Sequence, residues 1–159
     1  MSENVIRRLE IERELLMNMR RKGRLDVRED SDLRRYTVTL YNVTTYVKMP
    51  DDYPALSDGP HKFAIQVPFG YPRDEPPVIS FQSYPPNHPN VYKNGNICLG
   101  AWSPRETLKS LVYRVIRLIL LDPSTFNFSS AADSDASAFV QTCASLPTVT
   151  LGDLFGESL

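Results

Sequence analysis

The thiol of Cys98 stands eight residues after a His88-Pro89-Asn90 tripeptide, with Trp102-Ser103-Pro104 following shortly downstream. A thiolate is a strong nucleophile, and an amide N–H can donate to the oxyanion formed when a thioester is attacked. Together these are the parts for acyl chemistry on sulfur. No carboxylate lies between His88 and Cys98, so the segment carries no local acid–base pair. Pro89 fixes φ and stiffens the turn. Asn90 is also a residue type that simply caps turns. A free cysteine between Ile97 and Leu99 is ordinarily a small buried hydrophobe, so it is the surrounding pattern that marks chemistry. Cys143 falls on an apolar helical face and is expected in the core. The two His and two Cys are scattered without ligand spacing, and no metal site is expected.

Those residues need elements to hold them. Over residues 3–21, Val5, Leu9, Leu16 and Met19 lie close to one helical stripe, with Arg7, Arg8, Arg13 and Arg20 outside it. Ser2 is a plausible N-cap and Gly23 a stop. Tyr36, Val38 and Leu40 then alternate with Thr37, Thr39 and Tyr41, a strand pattern. Residues 43–48 continue it or form the next strand, and 49–60 reads as a Pro- and Asp-rich loop. Further strands are predicted at 61–67 and 78–81. Strands joined by loops imply an antiparallel meander. Residues 82–102 have no periodicity, which in a compact domain marks a functional segment; Asn94-Gly95 within it is a turn signal.

The next helix has the clearest start. Ser103 reads as N-cap, Pro104 as first helical residue and Glu106 as the capping-box acid. Leu108, Leu111, Val112, Val115, Leu118 and Ile119 form its stripe, and Asp122-Pro123 ends it. A second helix is expected over 131–144, with Ala136, Phe139, Val140 and Cys143 inward. The fold class is therefore α+β: an N-terminal helix, a four-stranded antiparallel meander, the segment around Cys98, then two C-terminal helices. Residues 1–146 read as the catalytic domain and 147–159 as a loosely attached tail.

The chain has 159 residues, 42% of them hydrophobic and 23% charged, which suits one globular domain with a real core. Residues 1–28 hold eight Lys/Arg against five Asp/Glu (+3), and 118–159 hold five Asp/Glu and no Lys/Arg (−5). Glu10, Glu12 and Glu14 interrupt the basic start and no aromatic is interleaved there, so nucleic acid is not an expected partner. With no long apolar run, neither a membrane span nor a signal peptide is expected. Two cysteines suit a reducing compartment, and the cytoplasm is the expected location.

The segment resembles the active-site region of ubiquitin-conjugating enzymes. His88-Pro89-Asn90, the spacing through VYKNGNIC to Cys98 and Leu99, and the downstream Trp102-Ser103-Pro104 carry the resemblance. Upstream VPFGYPRDEPPVISF and downstream LLDPSTFNF extend it over roughly residues 2–145. It implies that Cys98 takes ubiquitin or a ubiquitin-like protein as a thioester from an ATP-dependent activating enzyme. Transfer to a lysine amine follows, alone or with a ligase. ATP is used upstream, so no cofactor is implied.

The resemblance makes His88 and Pro89 braces of the turn. It gives Asn90 a role at the oxyanion or in holding the loop that lines it. Asn127 falls where many members carry an acidic gate residue, and Trp102 is a core or hinge anchor. Partners are expected on Arg7, Arg8 and Arg13 of the first helix, and on Arg73, Ser103 and Pro104. The sequence also departs from the family pattern. Leu99–Trp102 is shorter than in many members, and Arg73, Asp74 and Glu75 stand where many show an apolar ligase-docking residue. Two rivals belong to other classes. A non-catalytic adaptor of the same fold would typically lack the cysteine. A thiol hydrolase would want a paired base and an orienting carboxylate.

Overall fold

A computed structural model describes residues 3–51, 53–97, 102–143, 145–147 and 149–156. Helix α1 spans Glu3–Met17, shorter than the periodicity predicts, and buries Leu9, Glu12 and Leu16. Four strands form one antiparallel sheet in the order β1 (Leu25–Ser31), β2 (Arg35–Leu40), β5 (His61–Gln66), β6 (Val78–Phe81). The meander is as expected, but its membership differs. β1 takes first place because Leu25 and Val27 point inward between the exposed Asp26 and Arg28. Residues 43–48 are not in this sheet. Their central part, β3 (Thr45–Val47), pairs with β4 (Ala55–Ser57), which lies inside the segment expected to be loop. Residues of this small hairpin anchor to distant elements: Thr45 Oγ1 donates to Ile119 O at 2.7 Å, and Asn87 N to Tyr46 O at 2.9 Å.

In the main sheet Tyr36 pairs with Ile65, Val38 with Phe63 and Leu40 with His61. The apolar members of these pairs join Leu9 and Leu16 of α1 and the buried stripe of α2 (Leu108–Ile119) in one core cluster. The six stripe residues expected on α2 are all buried, joined by Ile116.

Its start is corrected. The N-cap is Thr107, whose side chain accepts from Ser110 N at 3.0 Å. Ser103 and Pro104 lie in the turn before it, with Ser103 Oγ accepting from Arg105 N at 3.3 Å. Glu106 faces Arg114 instead, taking two hydrogen bonds from its Nη1 at 2.7 and 2.8 Å. A nearby guanidinium outcompetes the reciprocal capping contact, because charge-assisted bonds are the stronger kind.

Helix α3 (Ser134–Thr142) is capped by Asp133. Ala136 and Val140 are buried, but Cys143 is the C-cap and only half-buried, its Sγ 3.7 Å from Ser145 Oγ. The helix ends one residue too early to carry that thiol inward. Nor are the described tail residues 149–156 loose: α4 (Leu151–Phe155) has a Thr150–Asp153 capping box, buries Leu151 and sets Phe155 edge-on to Tyr113 of α2.

Three segments meet at a buried carboxylate. Glu12 is 2% exposed. Its Oε2 accepts from the Tyr71 hydroxyl, in the Pro-rich turn, and from Leu108 N, the first amide of α2, at 3.1 Å. A carboxylate there meets both an orphan N–H and the positive helix end. Arg8 closes the cluster. Its guanidinium donates to Pro104 O, to Glu106 O at 3.0 Å and to Tyr71 Oη at 3.2 Å, and lies 5.3 Å from the Tyr71 ring centre. Arg8 is therefore half-buried rather than free on the helix surface: its one-turn offset from Glu12 turns it inward to hold the α2 approach. Arg13 pairs with Glu29 at 2.7 Å, while Arg7 is exposed.

These positions separate two substitutions of like chemistry. Arg8→Ala strands two backbone carbonyls and should lower unfolding stability by about 1–3 kcal/mol. Arg7→Ala should stay within about 0.5 kcal/mol. Urea denaturation of both variants checks the contrast.

Candidate active site

His88 is completely buried. Its Nδ1 accepts from Asn90 N at 2.9 Å, which leaves the proton on Nε2. Nε2 lies 2.7 Å from Thr125 Oγ1, and that hydroxyl in turn donates to Asp122 O at 2.6 Å. The Phe126 ring packs edge-on at 5.1 Å. Burial, reinforced by the nearby Lys48 charge, pushes the imidazole down to about 3. Both ring nitrogens are engaged and the ring stays neutral, so His88 is built as a brace and has no free site for a proton.

The carbonyls of the turn are held as firmly. Lys48 Nζ donates to His88 O at 3.2 Å and to Asp133 Oδ2 at 2.6 Å. Pro89 O accepts from Ala132 N at 2.8 Å and Asp133 N at 3.1 Å. The other Asp133 oxygen caps α3 through Asp135 N and Ala136 N. Lys48 and Asp133 form a buried ion pair. Burial pulls the Lys48 ammonium below its ordinary value. Burial also pushes Asp133 up, but the hydrogen bonds from Lys48 and Ala136 N more than offset this and hold the carboxyl below the ordinary carboxylate range.

Asn90 ties the turn to the segment after α2. Its Oδ1 accepts from Asn127 N at 2.9 Å, and its Nδ2 donates to Asn127 O at 3.0 Å and Ser130 O at 3.3 Å. Both N–H bonds of the amide are therefore committed to backbone carbonyls. The Asn127 side chain is exposed and accepts from Ser129 Oγ at 2.8 Å.

On the approach to the thiol, the Asn94-Gly95 turn has Gly95 at φ +90 and brings Ile97 beside Val91 in a single antiparallel bridge. A side chain is strained at such a φ, so the glycine is required there. Cys98 itself lies outside the described residues. Trp102 packs against the core 6.0 Å from the Tyr71 ring, as an anchor would.

The structure thus brings His88, Pro89, Asn90 and the backbone of Asn127 together, and keeps the six expected partner-binding residues apart from them on α1, the Pro-rich turn and the α2 approach. Sequence reasoning missed Lys48, Thr125 and Asp133. Asp133 had a usable signal, as an N-cap type before a helical pattern. Lys48, between Val47 and Met49, had none.

Comparison with known proteins decides what this arrangement belongs to. A family model for ubiquitin-conjugating enzymes matches residues 10–144. The chain belongs to the ubiquitin-conjugating enzyme family. Among its relatives, a probable ubiquitin-conjugating enzyme E2 W of Dictyostelium discoideum is 39% identical over 71 residues, 41% of this chain and 46% of that protein. Ubiquitin-conjugating enzyme 15 of Arabidopsis thaliana is 31% identical over 87 residues, 52% and 50% of the two chains. The chain spans about half the length of these curated relatives. A solved Plasmodium vivax ubiquitin conjugating enzyme E2 superposes with a TM-score of 0.50 at 26% identity, over 70% of this chain and 98% of that one.

As a ubiquitin-conjugating family member, the chain presents one further surface feature. Phe69, in the Pro-rich turn, is 84% exposed and its ring is 4.6 Å from the Arg34 guanidinium carbon. Arg73, in the same turn, is also exposed. Among the described residues, no helix is long and apolar enough to cross a membrane.

The buried neutral histidine has a consequence for stability. Between about 3 and 6.5 the unfolded chain binds a proton at this position and the folded chain does not. Stability is then full above 6.5 and is lost as pH falls, at about 1.4 kcal/mol per pH unit. His61, also lowered by burial, adds in the same direction. Going from pH 7 to about 5 should cost about 2 kcal/mol or more in urea denaturation. His88→Gln should flatten that slope whatever its own baseline stability.

Proposed function

We propose that this family member is a conjugating enzyme whose nucleophile is Cys98. Its thiolate attacks the thioester that joins ubiquitin or a ubiquitin-like protein to an activating enzyme. The new C–Sγ bond forms and the activating enzyme's thiolate leaves. A lysine amine then attacks the carbonyl carbon, the C–Sγ bond breaks, the amine loses its proton and an isopeptide results. ATP is spent before the modifier arrives, so the chain needs no cofactor of its own.

The observation that carries this reading is the Asn90 side chain, bonded on both its faces to residues 127–130 within the region that matches the family. Of the two roles open to Asn90, its filled donors favour holding the loop over binding the oxyanion. It is then a positioning residue, and the Asn127 side chain at the rim meets the incoming amine. His88 and Pro89 brace the turn. Exposed Arg7 on α1 serves the activating enzyme, and Phe69 with Arg73 serves a ligase, an exposed aromatic being a strong interface anchor.

The adaptor reading is disfavoured by Cys98 itself, and the hydrolase reading by a His88 with no free nitrogen. Incubation with an activating enzyme, modifier and ATP, read on a non-reducing gel, tests the proposal. A thiol-labile adduct is expected, and its absence with every modifier and activating enzyme offered would favour the adaptor.

A further inference from the structure

Behind the His88 turn lies a cavity of about 360 Å³, at the small end of the range for ligand sites. Met49, Pro50, Pro54, Tyr84 and Pro85 give it an apolar wall. Its floor holds the Lys48–Asp133 pair, and Lys93 and Asp135 pair across its edge at 3.0 Å. The charges lining it are therefore paired with opposite charges, and neither an anion nor a cation finds an unopposed countercharge there.

One polar group is left over. Asn87 lines the cavity, is 6% exposed and spends its backbone N–H on Tyr46 O. Its side-chain amide has no hydrogen-bond partner among the described residues. Lys48 and Asp133, the other deeply buried polar side chains of the cavity, are fully engaged. The amide is not sealed from solvent, Trp102 Nε1 being the buried side-chain atom without a partner among the described residues, so its donors and acceptor are open to a ligand in the cavity. Placed at the polar end of an apolar pocket, it is what fixes the orientation of a ligand.

We propose that this cavity binds a small neutral ligand: a flat apolar ring carrying a carboxamide-like group. The ring would stack on the proline and tyrosine wall. The amide end would pair with Asn87, giving one hydrogen bond and taking one. The site is separate from the thiol chemistry, but it shares Lys48 with the His88 turn, and Asn87 is that histidine's neighbour in the chain.

Benzamide is a suitable probe. It is titrated into the uniformly ¹⁵N-labelled, uncharged chain, and amide spectra are recorded. The expected result is saturable millimolar binding, ordinary for so small a molecule. The largest shifts should fall on the Asn87 side-chain amide and on the backbone of residues 48–50, 84–88 and 93. Benzoate and benzylamine, the charged counterparts, should bind more weakly. Asn87→Leu should weaken benzamide by about tenfold, the worth of one buried hydrogen-bonded contact. Shifts scattered over the surface or absent, benzoate binding as tightly as benzamide, or full affinity in Asn87→Leu would each overturn the proposal. The probe comparison uses the unaltered chain and needs no variant to fold. Binding is read without any modifier, so failure here and failure of thioester formation are separate results.

Discussion

Asn90→Ala should leave charging of the protein largely intact yet slow discharge of the charged form to free lysine by about 100-fold. The expectation follows from geometry. Removing the amide takes away three hydrogen bonds that hold residues 127–130 against the turn: one accepted from Asn127 N, and two donated to Asn127 O and Ser130 O. A misplacement of about 1 Å at a reacting centre costs on the order of 10²-fold. Asn90→Asp keeps the acceptor but sets a carboxylate against two carbonyls, and should be no better than alanine. Single-turnover discharge of pre-charged protein measures the effect. If Asn90 acted through the oxyanion alone, residues 127–130 would keep their wild-type amide spectra in Asn90→Ala. Loop holding requires those spectra to change along with the rate.

Lys48→Met should be the most destabilising single change around the site, at about 3–5 kcal/mol, because it leaves Asp133 buried without a countercharge. The same change frees His88 O. Adding Asp133→Asn removes the stranded charge while retaining a side-chain oxygen to cap α3, so the double variant should recover much of the loss. Urea denaturation of the single and double variants, analysed as a cycle, gives the coupling. A single variant as stable as wild type would mean that the pair is not buried in solution.

These two residues also mark where sequence reading stops. Asn90 was legible through its motif, and the stripe of α2 through its period. Both are local patterns that the packed fold leaves in place. Lys48 and Asp133 are 85 residues apart, and nothing in either neighbourhood announces the other. The α2 start shows a local signal losing to a tertiary one: Ser103-Pro104 with Glu106 has the form of a capping box, but Arg114 claims Glu106 and Thr107 caps the helix.

Strand β1 was lost for a different reason. Only Leu25 and Val27 mark its inner face, and the turn that joins it to β2 places Asp32 and Leu33 at positive φ with no glycine or asparagine to signal it. Glu12 and Arg8 lie on a helix with charges along its whole length, and only the packed fold shows them joining α1, Tyr71 and the α2 approach.

Whether Cys98 carries the modifier can be read directly by charging four proteins in parallel with activating enzyme, ATP and ubiquitin or a ubiquitin-like protein, then weighing them intact. Wild type and Cys143→Ala should each gain one modifier mass that a thiol reductant removes. Cys98→Ser should gain one that it does not remove, and Cys98→Ala should gain none. A Cys98→Ala chain that charges like wild type, or an adduct lost only in Cys143→Ala, would contradict the assignment.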